Sequence, residues 1–194
     1  MNTILANLPN LITVGRIILT PVLVIFLISG RTTAALVVFL AAGISDGLDG
    51  FIARLMRNKT RFGEIADPLA DKLLLDTTYV TLAVYSILPA WLAVVVLSRD
   101  LVIIIGIAVL AIFDRPVEIK PLVSSKITTF LQISTIVIFL GNDIFTFSNV
   151  TKHWFIVLTA AFTLISWAQY TGIGFKILAR LNGGEPPAGP GQGH

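Results

Sequence analysis

The chain has 194 residues, of which 55% are hydrophobic and only 13% are charged, with a formal net charge of +3. Its mean hydropathy of +0.88 is far above that of a soluble domain, whose surface must be wetted by water. There is no cysteine, and His153 and His194 are the only histidines, so disulfides, thiolate chemistry and histidine-rich metal sites are not expected. These features predict an integral membrane protein.

Apolar runs of about twenty residues, the length that crosses a bilayer as an α-helix, follow one another along the chain. They lie at 11–29, 33–56, 64–86, 89–113, 121–141 and 151–178. They predict one all-α membrane domain over residues 1–180, a bundle of six transmembrane helices. The first ten residues lack the basic segment of a signal peptide, so no cleavable leader is expected. Residues 181–194 are rich in Gly and Pro and are predicted to form a disordered tail.

Basic residues are distributed unevenly between the loops on the two sides of this bundle. One side carries Arg57, Lys59, Arg61, Arg115, Lys120, Lys176 and Arg180. The other side carries only Arg31 and Lys152. Because loops rich in Lys and Arg remain in the cytoplasm, both termini and the loop around 57–61 are predicted to be cytoplasmic.

Acidic residues inside the predicted spans are the first functional signal. They are Asp46, Asp49, Asp67, Asp71, Asp76 and Asp100. A charge at a helix centre costs roughly 2.5 to 3.5 kcal/mol in a membrane, so such residues are functional candidates by default. The spacings of three (46 and 49) and four residues (67 and 71) put each of these pairs on one helical face. A short loop makes the two helices antiparallel neighbours, so the four carboxylates are expected to converge just below the cytoplasmic surface.

Four converging carboxylates favour hard divalent cations, Mg²⁺ or Mn²⁺. Two such ions sharing carboxylate ligands are a recurrent device for phosphoryl displacement. Gly50 and Ala53, flanked by these carboxylates, would let a ligand approach the helix backbone closely. For Gly43 and Gly47 in particular, the alternative is close packing of membrane helices through small residues.

An ion-coupled transporter is the main alternative, because intramembrane carboxylates also mark ion pathways. The chain has no inverted repeat, and its carboxylates cluster near one membrane face instead of along a path, so this alternative is disfavoured. Asp76 lies outside the cluster, and a helix–helix hydrogen bond is the role expected for it.

The pattern Asp46-x-x-Asp49-Gly50-x-x-Ala53-Arg54, followed after eight residues by Gly63-x-x-x-Asp67-x-x-x-Asp71, resembles the signature of the CDP-alcohol phosphotransferases at every fixed position. The opening stretch "LPNLITVGR" and the six spans are similar to the phosphatidyltransferase branch of that family. This branch transfers a phosphatidyl group from CDP-diacylglycerol to an alcohol and releases CMP.

The resemblance implies roles for individual residues. The metal ligands that it implies, for two Mg²⁺ or Mn²⁺ ions, are Asp46, Asp49, Asp67 and Asp71. Asp71 is also the implied base that takes the proton of the acceptor hydroxyl. The implied donor-binding residues are Asn10, Gly50, Ala53, Arg54 and Gly63. A homodimer in the bacterial cytoplasmic membrane is expected, with its active site facing the cytoplasm and no nucleic-acid partner.

A phosphorylated acceptor needs cationic partners, and the spans offer Arg16, Arg99 and Lys126. For Arg16 and Lys126 the alternative is that the side chain extends to the membrane interface. Arg99 and Asp100 are adjacent, so their side chains diverge by about 100° around a helix. They are expected to pair with other helices rather than with each other.

Two stretches bear on the acceptor, "VVVLSRDLVII" and "KPLVSSKITTFLQ". They resemble CMP-forming cardiolipin synthases more than phosphatidylglycerophosphate synthases, which usually carry an Arg-Glu pair in the first stretch and a second Lys where Thr128 stands. That extra cation would suit the dianionic glycerol 3-phosphate better than the monoanionic phosphatidylglycerol. Phosphatidylglycerol is therefore the expected acceptor, with glycerol 3-phosphate as the close alternative.

Overall fold

The computed structural model describes residues 3–56, 61–112 and 123–182, and within them the side chains of residues 14–45, 72–106 and 123–175. Its helices are α1 (Thr3–Ile28), α2 (Thr32–Met56), α3 (Arg61–Val84), α4 (Ala90–Ile112), α5 (Val123–Leu140), α6 (Asn142–Phe145) and α7 (Asn149–Asn182). The described residues contain no β-strand, which confirms the all-α prediction.

Six of these helices are long, and each overlaps one predicted span. The main differences lie at the two ends of the chain. α1 begins at Thr3 instead of residue 11, and α7 continues to Asn182, beyond the predicted end at residue 178. Apolarity limits how much of a helix contacts lipid, but backbone hydrogen bonding does not stop where the apolar run stops. Two residues of the predicted tail are therefore helical, and residues 183–194 lie outside the described residues.

The short helix α6 was not predicted, because four residues are too few for a periodic pattern. It begins after Gly141, where an added Cβ would lie 2.7 Å from the carbonyl oxygen of Val137. It ends at Thr146, whose φ of 46° is in the left-handed region. The connection from α5 to α7 thus contains a close backbone contact at Gly141 and a sharp turn at Thr146. Glycine is required at position 141, because a Cβ there would collide with a carbonyl oxygen.

The bundle has apolar side chains outside and many polar ones inside. Exposed residues include Ile25, Val37, Val94, Phe130 and Leu164, distributed over several helices. Residues buried between helices include Arg16, Thr78, Arg99, Asp100, Thr128, Gln132, Thr135, Thr159, Thr163 and Ser166. Lipid-facing apolar surface with polar groups turned inward is the arrangement expected of a membrane bundle.

By length and composition alone, two helices of the described part are apolar enough to cross a membrane, Val123–Leu140 and Asn149–Phe175. Two shorter apolar segments lie at Val14–Ile28 and Thr32–Ser45. The number of spans and the cytoplasmic placement of the termini remain predictions.

Helix α1 packs against both α2 and α3, so the two helices that carry the signature share one neighbour. α4 packs against α3 and α7, and α5 packs mainly against α7 with further contacts to α2 and α3. The apolar core between them is formed by residues such as Leu23, Phe39, Tyr79, Leu92 and Ile136. This arrangement surrounds α3 with α1, α4 and α5.

Candidate active site

The signature residues all lie on helical backbone in the structure. α2 carries Asp46, Asp49, Gly50, Ala53 and Arg54. α3 carries Gly63, Asp67 and Asp71. The predicted donor residue Asn10 lies on α1. The side chains of these nine residues lie outside the described residues, so their contacts with one another remain predictions.

The backbone places the two acidic pairs at matching positions along their helices. Asp46 lies ten residues before the end of α2 and Asp71 ten residues after the start of α3. Asp49 and Asp67 lie seven and six residues from the same helix ends. At 1.5 Å per residue, these positions correspond to depths of about 15 Å and 10 Å from the connection between α2 and α3. The four acids are therefore predicted to occupy two similar levels at one end of the bundle.

The glycines of the signature do not break α2, which is continuous from Thr32 to Met56 through Gly47 and Gly50. Gly in a helix interior costs about 1 kcal/mol relative to Ala, so an unbroken helix needs support from its neighbours. The packing of α1 along α2 supplies such support. Both uses of these glycines, helix packing and close approach of a ligand, fit this backbone.

The structure contains a polar cluster whose first member, Lys72, follows Asp71 in the chain. We call it the Arg99 network, and its members are Lys72, Asp76, Arg99, Asp100, Ser125, Ser166 and Tyr170. It joins α3, α4, α5 and α7. Arg99 is 3% exposed, and its Nη2 donates hydrogen bonds to the hydroxyls of Ser125 at 2.6 Å and Ser166 at 3.3 Å. Its guanidinium also lies 6.0 Å from the ring centroid of Tyr170. A buried guanidinium in a membrane requires such partners, and here α5 and α7 supply them.

Asp100 is the acidic centre of the Arg99 network. It forms an ion pair with Arg99 Nη1, and Lys72 Nζ lies 3.5 Å from its Oδ1. The prediction that Arg99 and Asp100 pair only with other helices is therefore wrong, although both also contact other helices. Their Cα–Cβ bonds diverge, but the long arginine side chain reaches back across the helix surface to the shorter carboxylate.

Asp76 on α3 interacts electrostatically with Asp100 on α4, and its buried Oδ1 has no hydrogen-bond partner among the described residues. The helix–helix hydrogen bond predicted for Asp76 stays a prediction. Lys72 and Arg99 also act electrostatically on Asp76, so the four ionisable residues form one group. Two basic and two acidic residues limit the net charge that the bundle has to bury.

The other two acceptor candidates differ in exposure. Arg16 is 2% exposed on α1, the helix that contacts both α2 and α3, so it does not extend to the membrane interface. Lys126 is exposed near the start of α5, as expected of a lysine that reaches an interface. The structure does not bring these two residues into the Arg99 network.

Thr128, the position that separates the two resembling subfamilies, lies in the contact between α5 and α7. It is fully buried, and its hydroxyl lies 2.9 Å from the carbonyl oxygen of Ser124 and 3.0 Å from that of Phe162. Further along the same contact, the hydroxyls of Thr135 and Thr159 are 2.8 Å apart. Polar residues of this kind bind membrane helices to one another. Thr128 is thus part of a helix–helix contact.

Several members of the Arg99 network were not predicted as functional residues. Lys72 had a usable signal, since it is an ionisable residue within a predicted span and adjacent to Asp71. Ser125, Ser166 and Tyr170 had none, because isolated hydroxyl residues are common in membrane helices. Their role depends on which helices meet.

Comparisons with known proteins agree with the signature. The sequence model of the family described as CDP-alcohol phosphatidyltransferase matches residues 6–165. A CDP-diacylglycerol--glycerol-3-phosphate 3-phosphatidyltransferase from Aquifex aeolicus is 32% identical, with 89% of this chain and 98% of that protein covered. The protein of the same name from Bacillus subtilis is 30% identical, with coverages of 91% and 99%.

A probable CMP-forming cardiolipin synthase from Drosophila melanogaster is 29% identical over 90% of this chain. The chain spans only 60% of the length of that fly protein. Relatives named as a cardiolipin synthase and as glycerol-3-phosphate 3-phosphatidyltransferases are thus found at similar identity. With most of its length matched and its signature on α2 and α3, the chain belongs to the CDP-alcohol phosphatidyltransferase family.

Proposed function

We propose that this protein transfers the phosphatidyl group of CDP-diacylglycerol to the hydroxyl of a glycerol-type alcohol and releases CMP. The observation that carries the proposal is the placement of the complete signature on α2 and α3, with its acids at two matching depths. Membership of a family named for this transfer supports it.

The donor set favours metal binding. Asp46, Asp49, Asp67 and Asp71 provide only carboxylate oxygens, the ligands that Mg²⁺ and Mn²⁺ prefer. When bound, two such cations would offset the negative charge of the donor diphosphate. The lack of any cysteine and the distance in sequence of both histidines from the signature leave no softer ligand to compete.

The remaining steps belong to the chain itself. Asp71 accepts the proton of the acceptor hydroxyl, whose oxygen then attacks the phosphorus that carries diacylglycerol. The bond from that phosphorus to the bridging oxygen breaks, and CMP leaves with the bridging oxygen. Gly50, Ala53 and Gly63 leave room for the nucleotide, while Arg54 and Asn10 offer donors to its polar groups. The proton thus ends on Asp71, the new bond joins the acceptor oxygen to phosphorus, and CMP is the leaving group.

The substrates define the surroundings of this reaction. The apolar outer surface of the bundle suits the acyl chains of the donor, while the basic loop at residues 57–61 suits its anionic nucleotide. We place the enzyme in the bacterial cytoplasmic membrane as a homodimer, with its active site facing the cytoplasm.

For the acceptor we favour phosphatidylglycerol, which would make the product cardiolipin. The resemblance of the stretch "VVVLSRDLVII" to cardiolipin synthases supports this choice, and so does one contact in the structure. The Arg99 guanidinium is already bonded to Asp100, Ser125 and Ser166, which leaves fewer cations for a dianionic acceptor. Glycerol 3-phosphate is the alternative, favoured by full-length relatives such as the Aquifex protein.

The test is a lipid mass-spectrometric assay of the purified protein. It is supplied with CDP-diacylglycerol, Mg²⁺ or Mn²⁺, and both acceptors in competition. Cardiolipin and CMP are the expected products. Phosphatidylglycerophosphate and CMP would keep the transfer reaction and change the acceptor, whereas no CMP with either acceptor or either metal would contradict the proposed function.

A further inference from the structure

A cleft opens at the end of the bundle far from the signature. We call it the far-end cleft; its walls include Ala83, Ile87, Phe139, Lys152, His153 and Ile156, and its volume is about 520 Å³. It lies where α3 ends and where α4 and α7 begin. Ala83 comes twelve residues after Asp71 on α3, which is roughly 18 Å along the helix axis. The far-end cleft is therefore separate from the candidate active site.

The polar side of the far-end cleft is cationic. Lys152 extends its ammonium to 6.0 Å from the ring centroid of Phe139, and no carboxylate of the described residues forms an ion pair with it. His153 and Asn149 add hydrogen-bonding groups, and none of the lining residues is acidic. α4 and α7 both begin here, so their N-terminal dipoles add positive potential. An anionic group is the complementary ligand.

Exposed aromatic residues indicate the depth of the far-end cleft in the membrane. Tyr85, Trp91 and Trp154 lie at the end of α3, the start of α4 and the start of α7, and each is about half exposed. Trp and Tyr concentrate at the membrane–water interface, at the level of the lipid headgroups. The cleft is also lined by apolar residues, among them Ile87, Leu88 and Ile156. A ligand with one anionic and one apolar part matches this mixed lining.

From this geometry we propose that the far-end cleft binds one phospholipid with an anionic headgroup, whose phosphate contacts Lys152 and whose glycerol and upper acyl carbons contact Ile87, Phe139 and Ile156. The binding is independent of the transfer reaction, because the far-end cleft shares no residue with the signature.

The experiment is native mass spectrometry of the delipidated full chain in detergent, titrated with phosphatidic acid or with phosphatidylcholine of the same acyl chains. Phosphatidic acid lacks an acceptor hydroxyl, so the titration measures binding without turnover. We expect a phosphatidic acid adduct in preference to a phosphatidylcholine adduct. Lys152→Gln should weaken the former about tenfold, the effect of losing a charge-assisted hydrogen bond. Lys152→Arg should retain the adduct. Retention would show that the fold tolerates a change at this residue.

Two further variants serve as controls. Arg31 is exposed at the same end of the bundle, in the turn between α1 and α2, and does not line the far-end cleft. Arg31→Gln should leave the adduct unchanged, and so should Asp67→Asn in the signature. The proposal is overturned if Lys152→Gln binds like the wild type, if Arg31→Gln loses as much as Lys152→Gln, or if Asp67→Asn alone abolishes the adduct. An inactive enzyme that still shows the Lys152-dependent adduct would contradict the proposed function without affecting this site.

Discussion

Lys72 of α3 and Asp100 of α4 form an ion pair, with 3.5 Å between the ammonium and the carboxylate oxygen. Lys72 comes one residue after Asp71, the proposed base, so this contact ties α3 to α4 next to that residue in the chain. Asp100 also binds Arg99, which reaches α5 and α7. We therefore expect the Arg99 network to hold α3 in place rather than to act on substrate.

Replacing Asp100 by Asn should destabilise the bundle. The substitution keeps the shape of the side chain but leaves Arg99 and Lys72 without their carboxylate, and removing one partner of a buried pair costs on the order of 3 kcal/mol. The measurement is the thermal unfolding midpoint in detergent, with turnover recorded in parallel. Asp143→Asn is the matched control, because Asp143 is exposed and its bond from Thr32 can be kept by an amide oxygen. Equal midpoints for the two variants would contradict the structural role of the network.

Asp71→Asn should abolish transfer while the protein still accumulates in the membrane, since the amide cannot accept the acceptor's proton. A general base contributes roughly 10²- to 10⁴-fold, and the loss of CMP release should be at least of that size. Asp143→Asn is the control. Asp143 is exposed and lies outside both the signature and the Arg99 network, so turnover and yield should remain close to the wild type. Appreciable activity of Asp71→Asn would rule out this residue as the base.

Removal of divalent cations should stop the reaction reversibly. CMP release is measured after chelation and again after Mg²⁺ or Mn²⁺ is restored. Asp46→Asn and Asp67→Asn should each shift the metal titration to higher concentration or remove activity, because each takes one charged ligand from the predicted set. Turnover that survives complete chelation would be incompatible with two catalytic metals.

Thr128→Lys tests whether this position selects the acceptor. The hydroxyl of Thr128 is buried between α5 and α7, so we expect the longer, charged side chain to lower the unfolding midpoint without raising the use of glycerol 3-phosphate. Thr128→Ser keeps the hydroxyl and should behave like the wild type. A gain in phosphatidylglycerophosphate relative to cardiolipin would instead make residue 128 a specificity position.

Thr135 and Thr159 should show a small, measurable coupling across α5 and α7. Their hydroxyls are 2.8 Å apart, and polar pairs between membrane helices contribute about 0.6 kcal/mol on average. Thr135→Val, Thr159→Val and the double variant form a double-mutant cycle for unfolding in a bilayer-like medium. Thr81→Val is the control, because the Thr81 hydroxyl bonds to the carbonyl of Thr77 on its own helix. A coupling of zero would mean that this contact does not help to hold the two helices together.

The fold class and the reaction were predictable from sequence because both depend on local patterns. Apolar runs of span length form helices whatever their neighbours, since backbone groups in lipid must bond within their own segment. The signature is likewise confined to two consecutive helices, so its spacing alone places Asp46, Asp49, Asp67 and Asp71 at one end of the bundle. The ends of α1 and α7 were less predictable, because a helix can continue past its apolar run.

Only the tertiary structure decided which polar residues meet. The pairing of Asp100 with both Arg99 and Lys72, the burial of Thr128 against α7, and the cationic far-end cleft each join helices that are distant in sequence. In a membrane bundle an apolar side chain can face lipid or a neighbouring helix at little difference in free energy, so hydropathy does not reveal which faces touch. Polar contacts between helices select those faces, and they exist only once the bundle is assembled.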